Sequence, residues 1–329
     1  MIHPTMASAT HVVFDPCVPE RLEKLGVQRV LCACDTLLNG PSRRNVRAHA
    51  RAREAWWGAE DDADGLRSPY IRWEPPIVVW VSSNLLDRMN LLRTCSRLRQ
   101  ARIPSREVFV IELGPTPWGG EEPAPRLGCF GSVIDYTDEE LSARFQRAHP
   151  FRPARYDRAV SLWDKYVDPN PLRFARACAH GVPGFPELAA VWEVLSAYFP
   201  RRTARGTLSL SRFDETLLNL LSDEWQTPAA LFVQKSPTGK ALREFLWCTG
   251  DVFLSRRLDD WATFGSAPAV ERAESAGLET YRLTEHGLRL RTQPLTHFAF
   301  APRLPVAGAT AYAEESPWVL LDDGKLVQG

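Results

Sequence analysis

Three short apolar runs in the first third of the chain each end in polar, loop-forming residues. His11-Val12-Val13-Phe14 leads into Asp15-Pro16-Cys17. Val30-Leu31-Cys32-Ala33-Cys34 leads into Asp35-Thr36, and Ile77-Val78-Val79-Trp80-Val81 into Ser82-Ser83-Asn84. Runs without polar alternation suit strands buried on both faces, the condition of a parallel sheet. In open α/β sheets, ligands bind beyond the carboxyl ends of such strands. The pattern therefore locates a site before it says anything of chemistry.

Helical signals fall between these runs. Pro19 suits the first turn of a short helix that Gly26 closes. Asn39-Gly40-Pro41 makes a turn, after which Ser42 is positioned to cap a helix over Arg43–Trp57. Asn84 is placed to cap a long helix through Arg102, with Leu85, Met89, Leu92, Cys95 and Leu98 at helical spacing. Val108–Glu112 reads as a fourth strand. The β-α-β-α-β-α-β order predicts an α/β domain over residues 1–113 with a Rossmann-like parallel sheet and right-handed crossovers.

The next segment, residues 114–207, opens with a Pro- and Gly-rich stretch, Gly114–Gly128, that reads as an exposed loop or a lid. A helical middle follows. Thr137-Asp-Glu-Glu has the form of a capping box opening a helix through Ala148, and further helices are expected at Tyr156–Tyr166, Leu172–Ala179 and Pro186–Tyr198. In residues 208–292, Ser211 caps Arg212–Ser222, Thr227-Pro228 starts a second helix and Asp251 opens a third through Trp261. An extended stretch then ends in Thr280-Tyr-Arg-Leu-Thr-Glu-His-Gly. Three helices followed by a hairpin predict a winged-helix-like module. Residues 293–329 read as a β-hairpin tail, with strands at Thr310–Glu314 and Trp318–Leu321 and Asp323-Gly324 as a turn.

Composition narrows the function classes. The 329 residues hold 40 Lys+Arg against 40 Asp+Glu, so no global charge favours nucleic acid or an anionic membrane. No window approaches the ~20 apolar residues of a membrane span, and Met1–Thr10 lacks the form of a secretory signal. The 7 cysteines are odd in number and scattered, as expected for reduced thiols in a cytoplasm. Neither of the first two strands is followed by a G-x-G-x-x-G or Gly-Lys-Ser/Thr loop, and no His-Glu-x-x-His or paired Cys-x-x-Cys occurs. No cofactor or metal is indicated, and the oligomeric state is not specified.

The candidate site is the set of polar residues at the strand ends. Asn39, Ser82, Ser83, Asn84 and Asp87 are candidate ligand-binding groups. Asp15 and Asp35 are candidate acid–base or orienting groups, and Cys17, at a strand end before a helix, is an outside candidate nucleophile. A thiolate there needs a base, and His11, His49, His149 and His180 are available without diagnostic spacing. The bland alternative is that Asn84 only caps a helix while Asp15 and Asp35 make turns. Arg43, Arg44, Arg47, His49, Arg51 and Arg53 read either as a phosphate-holding patch or as a solvated helix face. In the third helix of the winged-helix candidate, Arg256-Arg257 stand beside Asp259-Asp260, a weak nucleic-acid signature.

Several of these stretches, in this order, resemble a bacterial family termed domain of unknown function 1835 with its C-terminal companion, domain of unknown function 3658. They are His11-Val-Val, Cys34-Asp-Thr-Leu-Leu-Asn-Gly-Pro41, Trp80-Val-Ser-Ser-Asn-Leu-Leu-Asp87, Leu210-Ser-Arg-Phe-Asp-Glu-Thr-Leu-Leu, Tyr281-Arg-Leu-Thr-Glu-His-Gly and the Trp318 tail. The resemblance implies a fold more than an activity. Family members tend to carry Asn-Gly-Asp-Ser after the first strand and Glu-His-Asp after the third. Here the residues are Phe14-Asp15-Pro16-Cys17 and Ser82-Ser83-Asn84, which implies a divergent or inactive relative.

The expectation from sequence is an enzyme, or a degenerate relative of one, binding a small polar and plausibly phosphorylated metabolite at the strand-end crevice. Two alternatives stand beside it. One is a ligand-responsive regulator whose winged helix binds nucleic acid, and the other is a protein-interaction partner without chemistry.

Overall fold

A computed structural model describes residues 5–57, 72–114, 133–246, 250–275, 277–291, 301–315 and 318–329. The protein is an α/β protein that packs as two compact units, divided between Val191 and Trp192. The Gly114–Gly128 segment lies, but for Gly114, outside the described residues.

In the first unit the elements run β1 (Thr10–Val13), α1 (Pro19–Lys24), β2 (Val30–Cys32), β3 (Gly40–Pro41), α2 (Val46–Trp57), β4 (Ile77–Val81), α3 (Leu85–Gln100), β5 (Val108–Glu112), α4 (Asp138–Gln146), β6 (His149–Pro150), α5 (Pro153–Tyr166) and α6 (Leu172–Ala179). α7 (Leu188–Ser196) spans the boundary. The main sheet has the order β2-β1-β4-β5-β6. β2, β1, β4 and β5 are mutually parallel, with Val12 opposite both Leu31 and Val79, and Val79 opposite Val110. β6 closes the edge antiparallel, pairing only with Phe109 and Val110.

Alternation divides the sheet residues between two faces. Ala9, Val13, Val78, Trp80, Phe109 and Ile111 form one core with Leu22 of α1 and Leu141 and Phe145 of α4. Val12, Ile77, Val79 and Val108 belong to the other face and are fully buried. The parallel register carries the carboxyl ends of β1, β2 and β4 to one edge, as the apolar runs require.

The helix starts follow local chemistry. Asn84 Oδ1 accepts from Leu86 N at 2.8 Å and opens α3. The Thr137 capping box opens α4, Glu140 N donating to Thr137 Oγ1 at 3.2 Å and Thr137 N to Glu140 Oε2 at 2.8 Å. The start of α2 differs from expectation. Asn45, not Ser42, accepts from Ala48 N at 3.0 Å, so the helix begins three residues later than Arg43. α4 stops at Gln146 rather than Ala148 because the chain turns at once into β6, a strand the sequence pattern did not show.

The second unit holds β7 (Arg201–Arg202), β8 (Leu208–Ser209), α8 (Arg212–Leu220), α9 (Pro228–Phe232), α10 (Pro237–Leu246), α11 (Gly250–Thr263), β9 (Val270–Ser275), β10 (Leu278–Leu283), α12 (Glu285–Leu290), β11 (Leu304–Ala307), β12 (Ala309–Ala311), β13 (Trp318–Leu321) and β14 (Leu326–Gln328). Ser211 and Thr227 cap α8 and α9 as expected. α10 adds a helix between the two that the sequence pattern marked and α11. β9 and β10 form an antiparallel hairpin, and His286-Gly287 belong to α12 rather than to an extended segment. β7, β8, β13 and β14 form a mixed sheet in the order β14-β13-β7-β8. No described helix is long and apolar enough to cross a membrane.

Candidate functional site

The carboxyl edge of the parallel sheet carries two polar groupings of different character. The first is built on Asp35, just beyond β2. Its carboxylate is completely buried and is held from three sides. Arg93 Nη1 donates to Oδ2 at 2.7 Å, Arg53 Nη2 donates to Oδ1, and His49 Nε2 lies 3.1 Å from Oδ2. Asn90 Nδ2 donates to the Asp35 carbonyl at 3.0 Å. Burial by itself raises a carboxyl pKa, but the Arg53 and Arg93 guanidiniums and the His49 hydrogen bond outweigh it. Asp35 is held well below the usual carboxylate range. His49 is also shifted down, to about 4, by burial and by the Arg93 charge.

Asn39 sits in the same layer. Its carbonyl accepts from Arg53 Nη1. Its side-chain amide is buried, and among the described residues neither Oδ1 nor Nδ2 has a hydrogen-bond partner. Gly40 follows at φ 77°, and a Cβ there would lie 2.7 Å from both Arg53 Nη1 and Trp56 Cδ1. Only glycine lets the turn approach α2 this closely. The Arg43–Arg53 stretch is thus not wholly solvated. Its His49 and Arg53 turn inward onto Asp35, while Arg43, Arg44, Arg47 and Arg51 are exposed. Asp35 is thus placed to orient Arg53, Arg93 and His49, and its full burial and lowered pKa disfavour proton exchange at neutral pH.

The second grouping lies where β1 and β4 end. Asp87, in the first turn of α3, is buried, and its Oδ2 accepts from Ser82 Oγ at 2.6 Å and from Ser82 N at 2.9 Å. Ser82 Oγ in turn accepts from Asn84 N at 3.2 Å. Burial pushes the Asp87 carboxyl up to about 6, against the two Ser82 hydrogen bonds that favour its charged form, and the nearby Asp15 carboxylate adds to the rise. Asp15 is half-buried, and its Oδ1 accepts from Cys17 N at 2.8 Å in the turn leading to α1. The Cys17 thiol is exposed. Ser83 and Asn84 are half-buried beside this pair.

The structure therefore brings Asp15, Ser82, Asn84 and Asp87 together on one rim and draws Asp35 and Asn39 into a sealed layer next to it. Two of the imidazoles weighed as partners for Cys17 have other contacts, while His149 and His180 are exposed. His11 Nε2 lies 3.1 Å from the Met6 carbonyl, Nδ1 accepts from Trp80 Nε1 at 3.0 Å, and burial pushes its pKa down to about 4. His49 is committed to Asp35. Asn90 and Arg93 are not singled out by the sequence, and Arg53 appears there only as part of a basic stretch. The one available signal was the spacing of His49 and Arg53, four residues apart on one helix face.

In the second unit, Arg257 is fully buried and paired with Asp214, Nε to Oδ1 at 2.7 Å and Nη2 to Oδ2 at 2.9 Å. Trp261 Nε1, Tyr312 Oη and Ser211 Oγ donate to the same carboxylate at 3.0, 2.9 and 2.8 Å. Arg256 lies 3.4 Å from Asp260. The Arg257 charge thus holds the unit together and does not reach a nucleic-acid groove. No cluster of His, Cys, Asp or Glu suited to a metal occurs among the described residues.

The fold and rim define an α/β protein whose titratable polar groups gather at the carboxyl edge of its parallel sheet. Comparisons with protein-family models, with curated proteins and with solved structures each found no match.

Proposed function

We propose that this chain is an enzyme acting on a small polar metabolite by general acid–base catalysis at the β1–β4 rim, with Asp87 as the proton-transfer group. The observation that carries the reading is the juxtaposition of Asp15 and Asp87 at that edge, with Ser82 fixing the Asp87 carboxyl. Burial raises the Asp87 carboxyl, which suits it to proton transfer. Asp15 lies beside it, and Asn84 and Ser83 offer amide and hydroxyl groups for orientation. The N-terminus of α3 adds oriented N–H donors for an anionic substituent. Cys17 stands at the mouth as a secondary candidate nucleophile. This reading takes the first unit as Rossmann-like, the α8–β10 segment as winged-helix-like, and the resemblance to the domain 1835 family as a guide to fold.

A thermal-shift screen of the protein against a library of polar metabolites tests it, repeated with Asp87→Asn, Asp15→Asn and Ser83→Ala. Stabilising ligands whose effect is lost in these variants support the site. Ligands that stabilise wild type and all three variants equally place binding elsewhere and end the proposal.

A further inference from the structure

A concavity lies elsewhere at this edge, apart from the Asp15–Asp87 rim. A cleft of about 570 Å³ lies between β5 and α4, lined by Val110, Ile111 and Glu112 from one side and by Glu139, Glu140, Ala143, Arg144, Arg147 and Ala148 from the other. Its size falls within the ordinary range for small-ligand sites. We infer that this cleft is a binding site for a small organic anion, a phosphate or carboxylate on a compact body, held by Arg144 and Arg147. The inference stands apart from the acid–base reading of Asp87.

Three features support it. First, the two guanidiniums are held in place but not neutralised. Arg144 lies over the Tyr136 ring at 4.8 Å from its centroid, and Arg147 Nε donates to the Ala143 carbonyl of its own helix at 3.1 Å. Arg144 is half-buried and Arg147 exposed, and neither has a carboxylate within ion-pair distance among the described residues, whereas most of the other buried or half-buried arginines in this unit do. Arginines fixed in this way lose less freedom when they bind an anion, and their remaining N–H groups suit its oxygens.

Second, the acids around the cleft are mostly occupied. Glu112 is taken bidentately by Arg155, at 2.6 and 2.7 Å, and by Arg88 at 2.5 Å. Glu140 accepts from Thr137 N in the capping box. Glu139 alone is left to accept from a hydroxyl or amino group of the ligand.

Third, the sheet contributes an open edge. Leu113 N donates to Val81 O, so the N–H groups of alternate residues face β4, and that of Glu112 faces the cleft. β6 reaches only to Val110, which leaves Glu112 beyond its pairing. The apolar floor of Val110, Ile111, Ala143 and Ala148 suits the body of the ligand.

The test is isothermal titration of the full-length protein with pyrophosphate, adenosine 5′-diphosphate and citrate. The first two probe phosphate and the last probes carboxylate. Saturable binding of at least one probe is expected, weakened tenfold or more in the Arg144→Gln/Arg147→Gln double variant. The charge-neutral Ala143→Phe, which fills the cleft, should weaken it similarly. Arg152→Gln, exposed in the same unit but outside the cleft, should leave binding within twofold. Absence of saturable binding for all three probes overturns the inference. So does binding unchanged in both cleft variants, or an equal loss in Arg152→Gln, which marks bulk electrostatics instead of a site.

Discussion

Asp87→Asn separates a functional carboxyl from a structural one by the sign of its effect on stability. Asp87 titrates at about 6 in the folded protein against 3.8 for a free side chain. The folded state therefore binds more protons than the unfolded state between these values. The Asp87 contribution is fully present below about pH 3.8 and is lost as pH rises through about 6. The gap of about 2.2 pH units corresponds to about 3 kcal/mol at 1.36 kcal/mol per unit. Above neutrality, wild type carries this cost because it buries an ionised carboxylate. Asparagine has the same shape, and its Oδ1 can accept both Ser82 hydrogen bonds. The variant is thus expected to be more stable than wild type at pH 8, by up to about 3 kcal/mol, with the advantage fading by pH 4. Urea unfolding of both proteins from pH 4 to pH 8, followed by tryptophan fluorescence, reads the difference. Contributions from other titrating groups cancel in it, and any imperfection of the isostere only offsets it. A difference that stays flat across the range refutes the reasoning, because the carboxyl would then titrate alike in both states.

Other perturbations carry equally direct outcomes. Arg257→Ala leaves the Asp214 carboxylate buried without its cation and should cost about 3–5 kcal/mol, while Asp214→Leu/Arg257→Met should recover much of the loss; chemical denaturation of the single and double variants checks both. Gly40→Ala places a methyl against Arg53 and Trp56 at a positive φ and should destabilise by about 2 kcal/mol or more in the same assay, with Gly206→Ala, whose added Cβ would meet nothing within 4 Å, as the comparison for φ alone. His11 and His49 have folded pKa values of about 4 against 6.5 unfolded, so the unfolded state takes up protons first as pH falls. Each is expected to remove up to about 3 kcal/mol of stability between about pH 6.5 and pH 4, opposite in sign to Asp87; an imidazole NMR titration showing either ring protonating near 6.5 contradicts this.

What the sequence made legible and what it did not divide along the range of the interactions involved. The strand ends, the Asn84, Thr137, Ser211 and Thr227 caps and the whole of α6 were readable because each is decided within a few residues. β6 was not, because His149-Pro150 is a strand only by virtue of pairing with β5. α3 misled more deeply. Its apolar spacing describes a helix with one buried face, yet every residue from Asp87 to Leu98 is buried. Its polar residues are not a solvated stripe. Arg88 reaches Glu112, Asn90 and Arg93 reach Asp35, and Asp87 reaches back to Ser82. Partners for Asn90 and Arg93 lie more than fifty residues away, beyond any periodicity. The sequence pattern places these residues at one edge of the sheet, where the structure also has them, but does not divide them into sealed and open groups.

That division follows from how each buried carboxylate is compensated. Asp35 and Asp214 each lie against arginine and further donors, and both are held below the ordinary carboxylate range despite full burial. Such compensation favours the ionised form of both carboxylates and suits them to holding the fold together. Asp87 is nearly as buried but faces only Ser82 hydrogen bonds, with Arg88 a minor influence because its guanidinium is directed to Glu112 and Glu187. Nothing in the fold requires an unpaired carboxyl there, since a neutral isostere makes the same hydrogen bonds at lower cost. A group that keeps its pKa near neutrality at the expense of about 3 kcal/mol, on the edge where α/β sheets hold their ligands, is the one on which the proposed proton transfer rests.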